Sequence, residues 1–518
     1  MCGIFGLINK PVDFDSKFIQ TQFEKGKGRG PEDSKLISFG QDIEFGFHRL
    51  AINGLNDISN QPFIMNNIVL ICNGEIYNYK ELYHEIDVIP QTDSDCEIII
   101  HLYLLFGIEK TLQLLDGVFS FALYDMNIVD IEPIKIFLAR DPLGVRPLYI
   151  LRTNNKNKNK NKSNNHSQNY ILFGSELKML SEFYDPECCS LDQFIPGTYS
   201  VFEKTYTILS RWKETTVNKP YFLLNHSYTL LNREHSNKNK NPGILENSKN
   251  ELEWIITGIQ KHLYNAVKKR YLNTERPIAC LLSGGLDSSL ITALVAKIHK
   301  TYSNNPIETY SIGLQNSEDL MYAKMVAEYL GTNHTEIIVT EKEMIDAIPS
   351  VIYAIESYDT TTVRASIGNY LLGKYISKNS KAKVIFNGDG SDELCGGYLY
   401  MNNAPNSLEF ENETRRLLKD IHLYDVLRSD KSISSHGLEP RTPFLDKNFV
   451  NFYMSIPSVL KRHTNLNKCE KFLLRYSFSF INYSICDKQI LPDEILWRKK
   501  EAFSDGVSTT NRSLYTII

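Results

Sequence analysis

Two stretches of the chain carry residue types that do chemistry when they stand together. The first is Met1-Cys2-Gly3-Ile4-Phe5-Gly6. Once Met1 is removed, Cys2 becomes a nucleophile whose own α-amino group can accept its proton. The second is Leu282-Ser283-Gly284-Gly285-Leu286-Asp287-Ser288-Ser289. It lacks the lysine of a Walker loop and the spacing of a dinucleotide fingerprint. Gly284 and Gly285 still let backbone amides approach an anion, Ser283, Ser288 and Ser289 add hydroxyl donors, and a helix starting near Ser288 presents its positive end. Polyphosphate is the natural guest. Asp287 among phosphates requires a cation between them, which makes it a candidate Mg2+ ligand. Taken alone, the same residues also spell a strand-to-helix turn capped by Asp287 or Ser288. A second turn, Asn387-Gly388-Asp389-Gly390-Ser391-Asp392-Glu393, gathers three carboxylates and two glycines, and its Asp392 is placed to complete a Mg2+ site with Asp287. The alternative for this turn is a set of solvated carboxylates.

The elements that position these residues differ between the two halves. From Cys2 to about Glu203, short β-branched and aromatic runs alternate with turn residues, as in Ile68 to Cys72, Val118 to Tyr124 and Ile134 to Ala139, which predicts layered sheets with a few helices. An Asn/Lys tract from Asn154 to Asn169 separates Leu148–Leu151 from Tyr170–Phe173 and reads as a solvated loop joining two paired strands. A weaker echo at Ser236 to Gly243 marks a linker within a polar region from about Lys204 to Leu245. Beyond it the rhythm becomes strand, loop, helix. Strands are expected at Pro277–Leu282, Glu308–Ile312, Glu336–Val339 and Lys383–Asn387, with a helix from Ser288 to His299 and another from about Asp319 closed by Gly331. Such alternation predicts a parallel α/β sheet whose ligands lie beyond the carboxyl ends of its strands, where both glycine-rich turns fall.

Composition narrows the function classes. The chain has 518 residues, 42% of them hydrophobic, enough for two or three domains. Its 57 basic and 61 acidic residues give a net charge of −4, no broad field for nucleic acid or an anionic membrane. No apolar run approaches the roughly 18 residues of a membrane span. Nine cysteines without CxxC spacing, Cys188 and Cys189 adjacent, suit neither a disulfide framework nor a zinc site, so a reducing, cytoplasmic compartment is expected.

Seven ordered motifs extend these readings over nearly the whole chain: MCGIFG, HRLAI at His48 to Ile52, CNGEIYN at Cys72 to Asn78, SDCE at Ser94 to Glu97, ARDPLGVRPLY at Ala139 to Tyr149, LLSGGLDSS, and KKEAFSDGV at Lys499 to Val507. Together they resemble the glutamine-hydrolysing asparagine synthetases. The resemblance implies a two-domain α+β and α/β architecture. An N-terminal αββα Ntn-hydrolase-like glutaminase domain (2–203) would be joined by a linker (204–245) to a C-terminal parallel-sheet α/β ATP-pyrophosphatase domain (246–518). It implies Cys2 as the nucleophile and Asn73 with Gly74 as the oxyanion hole. Arg49 would clamp the glutamine α-carboxylate, Glu75 and Asp95 would hold its ammonium group, and Ala51, Ile52 and Asn53 would line the pocket. In the second half, the resemblance puts Leu282, Ile312, Asn387 and Gly388 around the nucleotide and Thr361, Thr362 and Arg364 on aspartate. Lys500 would face the transferring phosphoryl group.

The implied reaction takes glutamine, aspartate and ATP with Mg2+. Aspartate attacks the α-phosphorus of ATP, pyrophosphate leaves, and ammonia from glutamine displaces AMP to give asparagine. A dry passage for ammonia and a homodimer are also implied. Two alternatives stand beside this: a related enzyme amidating another carboxylate, and a weakly catalytic homologue that binds nucleotide.

The chain departs from the family pattern at several positions. Asn387 and Asp389 stand where Ser and Glu are usual, so a shorter carboxylate occupies a position implicated in forming the adenylate. Gly28 and Glu32 flank Arg29-Gly30-Pro31 where His and Asp are common, and Asp93 replaces a frequent Gly. The sequence runs only eleven residues past Val507 while relatives continue, which predicts a less covered ATP domain.

Overall fold

The computed structural model describes the chain except residues 13, 127–132, 154–168, 206–209, 225–243, 467, 480, 482–483, 486–487 and 501–518, and gives only the backbone at 244–249, 465–466, 484–485 and 488. Both Asn/Lys tracts, apart from Asn169, and the motif beyond Lys500 lie outside the described residues. The chain divides into two compact units, Met1–Leu223 with Ser434–Glu439, and Leu224–Ile433 with Pro440–Ile518.

The first unit is built from β1 (Gly3–Ile8), α1 (Ser16–Glu24), β2 (Asp33–Phe39), β3 (Ile43–Arg49), β4 (Phe63–Met65), β5 (Ile68–Ile76), α2 (Tyr79–Ile86), α3 (Ile98–Leu114), β6 (Gly117–Asp125), β7 (Ile134–Arg140), β8 (Tyr149–Thr153), β9 (Ile171–Gly174), β10 (Cys189–Gln193), β11 (Thr198–Lys204) and β12 (Lys213–Pro220). They form two six-stranded sheets in the orders β10-β8-β9-β1-β3-β2 and β12-β11-β7-β6-β5-β4. The expected pairing across the Asn/Lys tract is present, with Tyr149 opposite Gly174 and Arg152 opposite Ile171.

Period-2 side-chain alternation produces the layers. Ile4 and Ile8 of β1, Val69 and Ile71 of β5, and Ile136 and Leu138 of β7 share one core between the sheets. The intervening Phe5 and Leu7 pack with Ile19 and Phe23 of α1. On the second sheet, Leu70, Phe119, Phe121 and Phe137 pack with Leu82 of α2 and with Ile98, Ile99 and Leu102 of α3. The result is the αββα sandwich. Within the segment read as linker, Lys213–Pro220 is a strand paired with β11. Its exposed faces and Lys213, Lys219 and Pro220 are the composition of a protected sheet edge, which in sequence imitates a linker.

The second unit contains α4 (Ile244–Leu272), β13 (Ile278–Leu281), α5 (Leu286–Tyr302), β14 (Glu308–Gly313), α6 (Glu318–Leu330), β15 (Asn333–Ile338), α7 (Glu341–Ile355), α8 (Thr360–Asn379), β16 (Val384–Phe386) and, from its second residue on, β17 (Glu439–Arg441), with shorter helices before and after β17. The sheet order is β15-β14-β13-β16-β17, and β13 pairs in parallel with both β14 and β16. The chain moves outward from β13 to β15 and then returns to the other side of β13. That reversal opens a crevice at the carboxyl ends of β13 and β16. Helix boundaries follow local chemistry: Gly331 ends α6 at φ 69°, Thr340 and Glu343 form a capping box on α7, and Asp359 caps α8 by accepting from Thr362 N at 2.8 Å.

Two predictions come from this packing. A Cβ on Gly6 would stand 2.0 Å from Phe173 Cζ between the sheets, so Gly6→Ala is expected to lower stability by about 1–3 kcal/mol, read from chemical denaturation midpoints. Asp446 caps the helix Lys447–Ser455 and pairs through Oδ2 with Arg270 Nη1 at 2.6 Å and with Lys269. Burial opposes its ionisation, but Arg270 and Lys269 outweigh burial and hold it at about 2. Because the folded value lies below the unfolded value of about 3.9, the stabilisation is complete above that value and is lost as pH falls through the folded one. Asp446→Asn should therefore be the less stable protein at pH 7. The stability gap, followed by denaturation at each pH, should close between about pH 4 and pH 2.

Candidate functional site

The first unit gathers its expected residues at the end of β1. Gly3 lies opposite His48, so Cys2 falls beside Arg49 and Leu50, and its thiol donates to the Leu50 carbonyl at 3.5 Å. Ser175 Oγ joins the two sheets by accepting from Ile4 N at 3.0 Å and from Asn73 Nδ2 at 3.4 Å. Asn73 Oδ1 is buried without a partner among the described residues, an unspent acceptor, while the second hydrogen of Nδ2 is the donor this amide still has to offer. Asn53 Nδ2 donates to Glu75 Oε2 at 2.8 Å, and Asp95 Oδ2 accepts from Ile76 N at 2.6 Å beside it. Ala51 and Ile52 are buried between these groups in the chain, with Ala51 N held by Glu32 Oε2 at 2.8 Å. Arg49 is buried and already committed, donating to Asn56 O at 3.0 Å and to Asn60 Oδ1 and Gly54 O. Those three acceptors fix the fork.

Gly74 has a packing reason of its own, because a Cβ there would lie 2.4 Å from Val118 O. Burial pushes the Cys2 thiol up and holds the α-amine of Met1 down at about 6. Sequence reading missed Arg29 as a site residue. Its Nε donates to Cys2 O at 2.9 Å, while Nη1 contacts Glu176 Oε1 at 2.8 Å and Ser434 Oγ at 2.9 Å. The local signal was Arg29-Gly30-Pro31, where a Cβ on Gly30 would lie 2.3 Å from His48 C. His48 itself has its ring nitrogens on Ser34 Oγ and Phe23 O and stacks on Phe23, so it is structural.

The second unit carries a cavity of about 690 Å3 at the crevice predicted by strand order. From the first loop it is lined by Leu282, Ser283, Gly285, Asp287 and Ser288, with Ile312 from β14. The second turn supplies Asn387, Gly388, Asp389 and Asp392, and α8 supplies Thr361, Thr362 and Arg364. Lys500 completes the set. The two loops touch so closely that a Cβ on Gly388 would stand 2.6 Å from Ser288 N. Gly284, expected beside an anion, instead has φ 73° and packs toward Ala323 N, where a Cβ would come within 2.5 Å. It serves the turn and the approach of α6 and does not line the cavity.

The proposed metal pair has a different neighbour. Asp287 Oδ1 accepts from Ser391 Oγ at 2.8 Å, and its Oδ2 lies 2.6 Å from Lys471 Nζ. Asp392 Oδ1 lies 2.5 Å from the same nitrogen, and its Oδ2 pairs with Lys500. Three of the four carboxylate oxygens carry hydrogen bonds, and the fourth, Asp392 Oδ1, faces the Lys471 ammonium at ion-pair distance without one. As arranged, the pair does not fit a magnesium ion between its members. Burial opposes ionisation of Asp392, yet Lys471 and Lys500 hold it well below the usual carboxylate range. Burial instead dominates at Asp389 and pushes it up, with Arg428 acting against the shift. Glu393 is likewise raised by burial and by Asp425, and Tyr398 donates to it. Among the described residues no group of three or more His, Cys, Asp or Glu side chains could hold a metal ion.

Two family models match this chain: Glutamine amidotransferase domain over residues 1–209, and Asparagine synthase over residues 258–415 and 402–516. The asparagine synthetase [glutamine-hydrolyzing] of Gallus gallus is 39% identical over 529 residues, covering 100% of this chain and 86% of that protein. Its counterpart in Homo sapiens is 37% identical over 531 residues with the same coverage. The chain belongs to the glutamine-hydrolysing asparagine synthetases. Among solved structures, an NH3-dependent NAD synthetase from Campylobacter jejuni is 18% identical at a TM-score of 0.21, covering 32% of this chain and 76% of that one, too slight a likeness to argue from.

For this family member the meeting of the two loops can be tested directly. Gly388→Ala forces a methyl group against the Ser288 amide, and nucleotide affinity measured by calorimetry should fall about ten-fold or more.

Proposed function

We propose that this chain is a glutamine-dependent asparagine synthetase whose two units perform successive half-reactions. The first is the unit Met1–Leu223 with Ser434–Glu439, and the second the unit Leu224–Ile433 with Pro440–Ile518. After removal of Met1, Cys2 attacks the side-chain amide of glutamine, and its freed α-amine accepts the thiol proton. Burial that keeps the terminal amine at about 6 favours the neutral form of an amine in this pocket, which supports that role. Asn73 and the Gly74 N–H would stabilise the oxyanion, a role supported by Asn73 Nδ2, which spends only one of its two hydrogens, on Ser175 Oγ at 3.4 Å. Arg49 would receive the α-carboxylate while Glu75 and Asp95 hold the ammonium group, with Ala51, Ile52 and Asn53 closing the pocket. Ammonia leaves the tetrahedral intermediate, and water hydrolyses the thioester to glutamate.

In the second unit, Leu282 and Ile312 would border the nucleoside, while Ser283, Gly285, Ser288, Asn387 and Gly388 would hold the polyphosphate. The arrangement that carries the reading is one cavity lined by both strand-end loops and by Thr361, Thr362 and Arg364. An arginine beside two threonines suits the carboxylates of aspartate. A side-chain oxygen of aspartate attacks the α-phosphorus, pyrophosphate departs, and ammonia then displaces AMP. Lys500 would neutralise charge on the transferring group, and Asp389 would face the adenylate. Mg2+ would travel with ATP on its phosphate oxygens, since Asp287 and Asp392 are engaged with lysines. A cytoplasmic setting and a homodimer belong to the same proposal; the eight described cysteines are free, and no described helix is long and apolar enough to cross a membrane.

The test follows one nitrogen atom. With amide-labelled glutamine, aspartate and MgATP, the label should appear in the asparagine side chain with AMP formed in equal amount. Its absence, in protein with a processed N-terminus, overturns the proposal. Cys2→Ser should abolish glutamine hydrolysis yet keep ammonia-dependent synthesis, and Asn73→Ala should lower glutamine hydrolysis about 10²–10³-fold.

A further inference from the structure

The nucleotide cavity contains a buried ammonium group to which none of the sequence motifs assigns a role. Lys471 is almost fully inaccessible, with its nitrogen 2.6 Å from Asp287 Oδ2 and 2.5 Å from Asp392 Oδ1. We propose that Lys471 is the resident cation of the nucleotide cradle, a positioning residue that ties the loop after β13 to the loop after β16 and stands where a divalent metal would otherwise be required. The inference deepens the ATP reading and rests on it for the identity of the ligand.

Three independent features support it. The first is electrostatic. Two carboxylates within about 5 Å of each other repel, and both repel phosphate, unless a positive charge lies between them. The Lys471 ammonium supplies that charge, standing between the two carboxylates. The second is steric: a Cβ on Gly397 would lie 2.0 Å from Lys471 Cε and 2.1 Å from Asp392 Oδ1. Glycine at 397 clears the channel through which the lysine stem reaches the pair. The third is conformational. Lys471 has φ 56° and ψ 25°, a left-handed backbone that a side-chain-bearing residue adopts only where its surroundings hold it there. Its carbonyl accepts from Arg475 N at 3.0 Å while its ammonium makes the two ion pairs, so the residue is fixed at both ends.

With this arrangement the loops are assembled before nucleotide arrives, and assembly is independent of metal. Lys500 adds a second positive charge on Asp392, so the cradle meets the polyphosphate with its carboxylates already neutralised.

The experiment measures thermal unfolding of the full chain without nucleotide, with and without millimolar magnesium chloride. Wild-type protein should be unmoved by magnesium. Lys471→Met should unfold several degrees lower and recover on adding magnesium, because the released carboxylates then form a hard-oxygen site. Lys471→Arg should keep most of the wild-type midpoint. In steady state, Lys471→Met should raise the KM for ATP about ten-fold or more, with a smaller change in kcat. Gly397→Ala, which crowds the ammonium without deleting it, should show the same magnesium response, and it serves if Lys471→Met does not fold. The proposal is overturned if magnesium alone raises the wild-type midpoint and Asp287→Asn removes that rise. It is equally overturned if Lys471→Met or Gly397→Ala matches wild type in magnesium response and ATP KM. Failure of the wild-type chain to exchange pyrophosphate into ATP would instead strike the ATP reading and leave the magnesium comparison intact.

Discussion

A site that receives polyphosphate between two parallel strand ends gains from glycine amides and a helix start, but the loops after β13 and β16 also carry Asp287, Asp389 and Asp392 at the same place. Negative side chains there oppose one another and the ligand. Lys471 and Lys500 resolve the conflict inside the protein, and the strong depression of Asp392 despite its burial is the electrostatic signature of their presence. Asp389 lies outside that pair of lysines. It shifts in the opposite direction because burial is the larger influence on it. Two carboxylates three residues apart thus acquire opposite character from their neighbours.

The first unit solves a different problem, how to hold a reactive residue next to a chain terminus, where chains ordinarily fray. Insertion of β1 between β3 and β9 fixes the backbone from Gly3 onward. Arg29 then reaches Cys2 itself by its carbonyl. Its guanidinium is in turn pinned by Glu176 and by Ser434, the first residue of the Ser434–Glu439 segment that belongs to this unit. The nucleophile's placement therefore depends on residues from three distant parts of the sequence, and only one of those parts carries the thiol.

This explains how far the sequence could be read. Strand-turn-helix order in the second half, the stop at Gly331 and the location of both glycine-rich turns were legible because each is set by a few adjacent residues. The layered sheets of the first half were legible from alternation in β5, β6 and β7. What escaped reading was nonlocal. Lys471 lies 184 residues from Asp287, and its own surroundings, Glu470 and Phe472, give no hint of a partner. Arg29 sits in a short turn whose function is visible only once Cys2 is opposite it. The strand Lys213–Pro220 is polar on both faces, so no periodicity distinguished it from a linker. Gly284 was read as an anion contact because sequence shows the residue type but not that α6 approaches it.

The departures at 387 and 389 read as one change when viewed in the structure. Where the family resemblance leads one to expect serine and glutamate, this chain has a longer side chain at 387 and a shorter one at 389. Asn387 Nδ2 donates to Asp389 Oδ2 at 2.8 Å and also to Ser429 Oγ at 2.8 Å. A serine hydroxyl at 387 is too short for both contacts, which would leave the buried carboxylate at 389 to Ser429 and Arg428. The amide supplies the missing reach and anchors the carboxylate to the helix Asp425–Ser434, which also carries Arg428. The shorter acid is consequently held by a neighbour on its own turn as well as by the helix behind it.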